Sequence, residues 1–490
     1  MEAHDVAVAG ISSRVRSFFD LKKPFRIYHG STNSTRPSQY RKENIVDIRA
    51  LTCILKVDQQ KKTVLTEPNV PMDALVKETL EHGLIPPVVM EFPGITAGGG
   101  FSGTSGESSS FRFGFFDRTV NWVEIVLANG EKTIASREEK PDLFWGVASS
   151  FGTLGVVTLL EIQLIKARNY VQLTYHRFES MSSALQQITE SMQDQSIDYL
   201  DGIVLKKNWL VVCSGRLVDE VPTGLRTQKF RRAKDPWFYL HAKEVTARTL
   251  GPVIEAIPLE DYLFRYDRGA FWMGSYGFSY FLAPFDRLTR YLFDKYLHTR
   301  ELYHALHASG LSRKYIVQDV AIPFGGCGEF VDWLEDNFGH YPLWICPLSQ
   351  RGKLSTSPSS LLLQRKDGCL SDVLMNFGVW GPGPASLQKF LEMNRSLERK
   401  VQDLGGQKWL YAHAYYKEDE FWTIFNRYDY EDLRKKYHAT HLYSVWQKVC
   451  TDSGSVRDIP YKWLRCWPLR GFYGLYKAIM GGDYLLLNDD

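Results

Sequence analysis

The 490-residue chain has no C-x-x-C pair. Its seven cysteines (Cys53, Cys213, Cys327, Cys346, Cys369, Cys450 and Cys466) are scattered and odd in number. That pattern argues against a disulfide framework and a structural zinc site, and for a reducing compartment. No stretch approaches the ~20 apolar residues of a membrane span. The opening "MEAHDVAVAGISSRVRSFFDLKKPF" lacks a basic start followed by a long apolar core, so no secretory signal is expected there. Charge of one sign is also scarce. A net charge of +3 gives no reason to expect a nucleic-acid partner. There is no clean G-x-G-x-x-G between a strand and a helix and no Walker lysine, which removes the Rossmann and P-loop fingerprints. Internal repeats and long low-complexity tracts are absent as well.

Aromatic residues, in contrast, make up 14% of the chain. Many lie after residue 230, in "DPWFYLHAKE" and "RYDRGAFWMGSYGFSYF". Such a composition either lines a large apolar pocket or packs a bulky core. The length favours two large domains. At the N-terminus, Val8, Ile11, Val15, Phe18 and Phe19 recur at helical spacing, which predicts an amphipathic helix docked on the body. "PFRIYHGSTNSTRPSQY" reads as a short strand followed by a polar loop. "NIVDIRALTCILKVDQQKKTVLTEPNV" reads as three strand-like pieces with a turn at Asp58 to Lys62, and "PMDALVKETLEHGL" as a helix. Asn129-Gly130 predicts a hairpin. "PDLFWGVASSFGTLGVVTLLEIQLIKA" then gives a helix, a glycine turn and a long apolar strand.

These pieces predict a first α+β domain over residues 1–168. A second α+β domain is expected over 169–450, alternating strands with amphipathic helices such as "SMSSALQQITESMQ" and "FDRLTRYLFDKYLHTRELYHALH". Residues 451–490 form a tail, basic and aromatic in the middle. Its Trp, Tyr, Leu and Arg residues suit a peripheral membrane contact, or a tail that wraps the body.

Two loops carry chemistry, each following an apolar stretch that reads as a strand. One is "HGSTNSTR" (29–36) and the other "GITAGGGFSGTSGESSSFRFG" (94–114). Glycine permits positive φ and close approach to a ligand, successive N–H groups form anion nests, and hydroxyls add donors. Two such loops could clasp a diphosphate from both sides.

The ordered set "HGSTNSTR", "GITAGGGFSGTSGESSSFRFG", "VEIVLANGE" and "DLFWGVASSFGTLGVV" resembles the FAD-binding domain of the vanillyl-alcohol-oxidase (PCMH) type. It is closer still to one branch, the Δ24-sterol reductases. "GESSSFRFGFF" and "DLFWGVASSFGTLGVVTLLEIQLI" resemble that branch, as do "KYIVQDVAIPF", "YPLWICPL" and "LYAHAYYKEDEFWTIFN" in the same order. The resemblance implies a two-domain α+β fold with a second α+β substrate domain. It implies FAD held by Gly30, Ser31, Thr32 and Ser34, by Gly98, Gly99, Thr104, Gly106, Ser109 and Ser110, and by Gly152, Thr153, Gly155 and Val157.

The departures shape the remaining expectations. In related oxidases a histidine on the first loop bonds covalently to the flavin; that position falls near Asn33 here, so FAD is expected to be non-covalent. Within "YLFRYDRGAFWMG" (262–274), Arg265, Arg268 and Trp272 hold their places. Two histidines of the sterol reductases have become Phe264 and Tyr266, and a glutamate has become Met273. The branch usually begins with a membrane-spanning segment, and here none is seen.

What the resemblance implies is an FAD-dependent oxidoreductase that reduces a C=C bond of a bulky apolar substrate (a sterol, terpenoid or polyketide-like molecule). Hydride comes from flavin N5, and NADPH is the electron donor. Candidate catalytic residues are Tyr266, Asp267, Arg268, Tyr411 and His413, with Asp319 as an acid or as the orienter of one. The alternatives are an FAD-linked oxidase or dehydrogenase of a small secondary metabolite, a redox-neutral isomerase or cyclase, and a non-catalytic binder. No metal or nucleic-acid site is expected. The cytoplasm, peripheral to an internal membrane, is the expected location.

Overall fold

The computed structural model describes residues 2–36, 40–249, 251–350, 371–450 and 466–486. Cys369 and two parts of the expected tail, 451–465 and 487–490, lie outside them. The fold is α+β. A five-stranded antiparallel sheet has the order Ile54–Asp58, Thr63–Thr66, Gly155–Gln163, Val120–Leu127, Lys132–Ser136. The parallel pair Arg26–Tyr28 and Ile45–Asp47 stands beside it. The turn between Val120–Leu127 and Lys132–Ser136 carries Gly130 at φ +86°, a conformation that favours glycine.

The N-terminal helix Glu2–Asp20 buries His4, Val8, Ile11, Val15 and Phe18 on one side, each apolar side chain worth about 1.5–3 kcal/mol. His4 is held between Glu67 and Glu124 at 2.7 and 3.1 Å. The Ser12 hydroxyl donates to the Gly130 carbonyl, so the helix closes over the hairpin.

A second, eight-stranded antiparallel sheet has the order Val253–Pro258, Tyr170–Phe178, Trp209–Val218, Tyr199–Lys206, Leu343–Ser349, Val373–Pro382, Tyr315–Pro323, Gln407–Lys408. Period-two alternation divides its side chains between two cores. Leu200, Val212, Ile345 and Phe377 face the helices Met181–Gln193, Cys327–Asn337 and Leu387–Asp403. Tyr199, Cys213, Trp344 and Trp380 face the other way, toward the first domain. Asp201 and Asp319 share their strands' parity with this second set.

Two local expectations differ from the structure. The segment before the glycine-rich stretch, "PPVVMEFP", is largely buried but forms no strand, because Pro86, Pro87 and Pro93 supply no N–H for a ladder. The stretch itself contains the short helix Ala97–Gly103, capped by the Thr96 hydroxyl accepting from the Gly99 N–H at 3.1 Å. The long helix expected over "FDRLTRYLFDKYLHTRELYHALH" is broken into Arg287–Phe293 and Thr299–Ser309. The break holds Asp294, which accepts from Arg268 at 2.8 Å, and His298, which bonds Asp267 at 2.5 Å. These tertiary pairs override the helical periodicity.

One buried ion cluster ties the first domain to the large sheet. Arg265 Nη2 donates to Glu91 Oε1 at 2.9 Å, from the first domain, and to Asp201 Oδ2 at 2.8 Å, on the large sheet. The same Asp201 oxygen accepts from the Tyr266 hydroxyl and the Trp344 indole. The guanidinium lies over the Tyr262 ring at 4.0 Å. Replacing Arg265 with Ala strands two buried carboxylates and is expected to cost about 3–5 kcal/mol of unfolding free energy. Chemical denaturation checks this; an unchanged midpoint would contradict the role.

Candidate cofactor and substrate site

A cavity of about 740 Å³ runs between the two sheets, within the usual range for a ligand site. Its walls come from both domains, and its character changes along its length. At one end stand Ser31, Thr32, Asn33, Ser34, Arg36 and Lys448. The Ser34 hydroxyl donates to the Tyr411 carbonyl at 3.0 Å, and Thr32 donates its N–H to the Tyr484 hydroxyl at 3.1 Å. The C-terminal segment thus reaches back onto the first loop.

This end is electropositive without compensation. Arg36 and Lys448 make no ion pair with a carboxylate among the described residues, and Arg36 Nη1 is buried with no hydrogen-bond partner. Burial, then Arg26 and Arg36, hold the Lys448 amine well below its ordinary value. Cations that depress one another in a hydroxyl-lined cleft fit a bound dianion. Beside them the backbone is forced into rare conformations: Ser149, Phe151 and Gly152 have φ of +65°, +52° and +79°. Strain of this kind collects where a loop approaches a ligand. A Cβ on Gly152 would lie 2.3 Å from Ile27 Cδ1, and the positive φ strains any larger residue there.

The middle of the cavity is acidic. Glu91, Glu107 and Asp319 line it. Burial raises Glu91 to about 8. Burial and then the charge of Glu91 push Glu107 well above the carboxylate range. One guanidinium therefore faces more carboxyls than it can neutralise, and the cluster retains a proton near neutrality. Burial also raises Asp319 to about 7, against the nearby polar groups of Trp380, Asn376 and Tyr411 and the charge of Lys408. Tyr411 packs on the glycine-rich stretch, 3.6 Å from where a Cβ on Gly103 would lie.

The far end is aromatic. Phe271 stacks on Tyr266 at 3.9 Å and meets Trp380 at 4.5 Å. Tyr303, Phe278, Phe281, Phe293 and Phe472 continue the wall.

Of the residues singled out from sequence, Ser31, Thr32, Ser34, Gly98, Gly99, Gly106, Gly152, Gly155, Val157 and Tyr411 line this cavity. Gly30, Thr104, Ser109, Ser110 and Thr153 stand behind the wall. Ser109 donates to the Pro87 carbonyl, Ser110 accepts from the Glu107 N–H, and Thr153 meets the Tyr430 hydroxyl. Tyr266, Asp267 and Arg268 are engaged in packing. Asp267 holds His298 and Thr299, and Arg268 holds Asp294 and the carbonyls of Phe230, Ala233 and Asp235. His413 faces a separate small pocket with Arg313 and Gln318. Burial lowers it to about 3. Arg36, Lys448, Glu91 and Glu107 were not anticipated. Arg36 and Glu107 had a local signal, as charges beside runs of glycine and hydroxyl residues, whereas Lys448 had none.

Comparison with known proteins agrees with the first end of this site. Residues 8–136 match the model of an FAD binding domain. The chain is 28% identical over 464 residues to the Delta(24)-sterol reductase of Homo sapiens, covering 91% of this chain and 86% of that protein. It is 29% identical over 444 residues to the enzyme of the same name from Arabidopsis thaliana, covering 82% and 76%. A cytokinin dehydrogenase of rice is 30% identical over 134 residues only, 27% of this chain and 25% of that protein. The chain is thus similar to Delta(24)-sterol reductases over most of its length and carries an FAD binding domain, with FAD as its cofactor.

The orphaned Arg36 and the strained turn fit FAD. Ser31 to Ser34, Arg36, Lys448 and the backbone at Gly98, Gly99 and Gly152 are the groups available to hold it. Replacing Arg36 or Lys448 with Ala is expected to weaken FAD binding by tenfold or more, about 1.4 kcal/mol. Titration of apoprotein by flavin fluorescence measures it, and unchanged affinity would contradict the assignment. With an amide at Asn33, acid precipitation is expected to leave the flavin in the supernatant; flavin in the pellet would show a covalent link.

Proposed function

We propose that this flavoprotein reduces a C=C bond in a bulky apolar substrate of the sterol or terpenoid class, with NADPH as electron donor. The observation that carries the reading is the lining of one cavity: cations among hydroxyls, buried acids and a cluster of aromatic rings. Bound FAD supplies a hydride at N5 of its isoalloxazine ring. The residues of the chain do the rest. Phe271, Trp380 and Phe278 exclude water and give an apolar surface to a polycyclic or isoprenoid body.

An isolated alkene is a poor electrophile, so an acid must be close and protonated when the second carbon is attacked. Asp319 meets that need in our reading. Its carboxyl is buried, holds its proton near neutrality and points from the sheet into the cavity beside Tyr411. Tyr411 positions it, fixed in turn by Ser34 and Gly103. Glu107 and Glu91 form a reserve of protonated carboxyls behind it. The same reading makes the protein a peripheral partner of a membrane, where apolar substrates collect.

Without air, NADPH is expected to bleach the yellow holoprotein; failure to bleach would remove the reductase reading in this form. Asp319→Asn is expected to leave bleaching intact while slowing substrate reduction by roughly 10²-fold or more. In the native protein the acid form is the active one. The rate is therefore level below pH 7 and falls as pH rises through the Asp319 value of about 7. A profile unchanged by Asp319→Asn would move the proton donor elsewhere.

A further inference from the structure

Two helices leave apolar faces in solvent. On Leu469–Met480, the residues Leu469, Phe472, Tyr476, Ile479 and Met480 recur at helical spacing and are 37–65% exposed. The opposite side is glycine. A Cβ on Gly471 would meet the Tyr280 ring at 2.4 Å, and one on Gly474 the Ala305 carbonyl at 2.6 Å. The helix is therefore pressed against the body on its small side, and its large apolar residues point outward. On Arg287–Phe293, Leu288, Tyr291, Leu292 and Phe293 are 46–65% exposed.

Both patches border the helix Met273–Tyr280 and the exposed apolar turn after it, with Leu282 and Phe285. The Phe281 ring meets Phe472 at 4.8 Å, the Trp467 indole donates to the Tyr280 carbonyl at 2.6 Å, and the Phe293 ring meets Phe278 at 6.4 Å. The face also encloses the cavity mouth, because Phe293 and Phe472 line the cavity yet remain 46% and 53% exposed. Its charge is mainly positive: the two helices carry Arg287, Arg290, Arg470 and Lys477, of which Arg470 turns back to the Ser309 and Gly310 carbonyls, and Asp286 caps the first helix. A monomer rarely exposes so continuous an apolar patch without a partner. Leu, Ile, Met and aromatic residues bordered by Arg and Lys are the composition of an interfacial, membrane-surface element.

We propose that this two-helix face docks on the surface of a bilayer containing anionic lipid, with the cavity mouth opening into the lipid. The proposal rests on the reading of an apolar substrate, which then passes from lipid to cavity without crossing water. Arg287 and Lys477 meet anionic headgroups, and the outward aliphatic and aromatic side chains enter the acyl boundary.

Flotation of the full-length holoprotein with vesicles tests this directly. The native chain is expected to float with phosphatidylcholine–phosphatidylserine vesicles and less with phosphatidylcholine alone. The Leu292→Glu/Ile479→Glu variant is expected to lose at least tenfold in partitioning. Arg287→Glu/Lys477→Glu is expected to lose the preference for the anionic vesicles. All four positions are at the surface, so an unchanged thermal midpoint shows that folding is intact. A native chain that floats with neither vesicle, or a Leu292→Glu/Ile479→Glu variant that floats like it, overturns the proposal. So does a lipid-free dimer that this variant splits, because the face then belongs to a second copy. Flotation needs neither NADPH nor substrate, so a chain that floats but reduces nothing would fault the reductase reading alone.

Discussion

The structure depends on one guanidinium. Arg265 joins Glu91 of the first domain to Asp201 of the large sheet, with Tyr262 and Tyr266 packed against its faces. A buried charge is costly unless paired, so this contact holds the first domain against the large sheet. The cavity is the space that remains between them. Burial first, and then the neighbouring carboxyls of the same cluster, make Glu91 and Glu107 hold protons beside the cavity. Joining the domains and storing protons thus take place in one buried cluster.

Polarity is graded along the cavity for related reasons. The cations Arg36 and Lys448 lie where loops supply hydroxyls and N–H groups, at the end suited to a dianion. The aromatic chamber lies where the large sheet and the segment from residue 259 to 309 supply bulky side chains. Asp319 stands between them because period-two alternation turns it inward from an otherwise apolar strand. An electron carrier held at the first end and an apolar molecule held at the second would meet where the acids are.

The sequence made some of this legible and concealed the rest. The N-terminal helix and the hairpin at Asn129-Gly130 rest on local signals, helical spacing and turn chemistry, and each appears in the structure at the expected place. The three loops read from glycine runs each contribute residues to the wall of one cavity. The roles of Tyr266, Asp267 and Arg268 were not legible. Their partners Asp201, His298 and Asp294 are 65, 31 and 26 residues away, and no local pattern announces such pairings. Their clustering in the sequence suggested chemistry, and the structure shows them bonded within the protein. Lys448 was hidden for the same reason, since its value lies in facing Arg36 across the fold. The break between Arg287–Phe293 and Thr299–Ser309 could not be read either, because the helical period continues through it.

The central claim is that the cavity couples a reduced flavin to saturation of an apolar alkene. A single turnover without air tests it most directly. Holoprotein bleached with one equivalent of NADPH is mixed with a sterol unsaturated in its side chain. The account predicts return of the yellow flavin spectrum and formation of the saturated sterol in equal amounts. A flavin that stays bleached, or a sterol rearranged without being reduced, would contradict it.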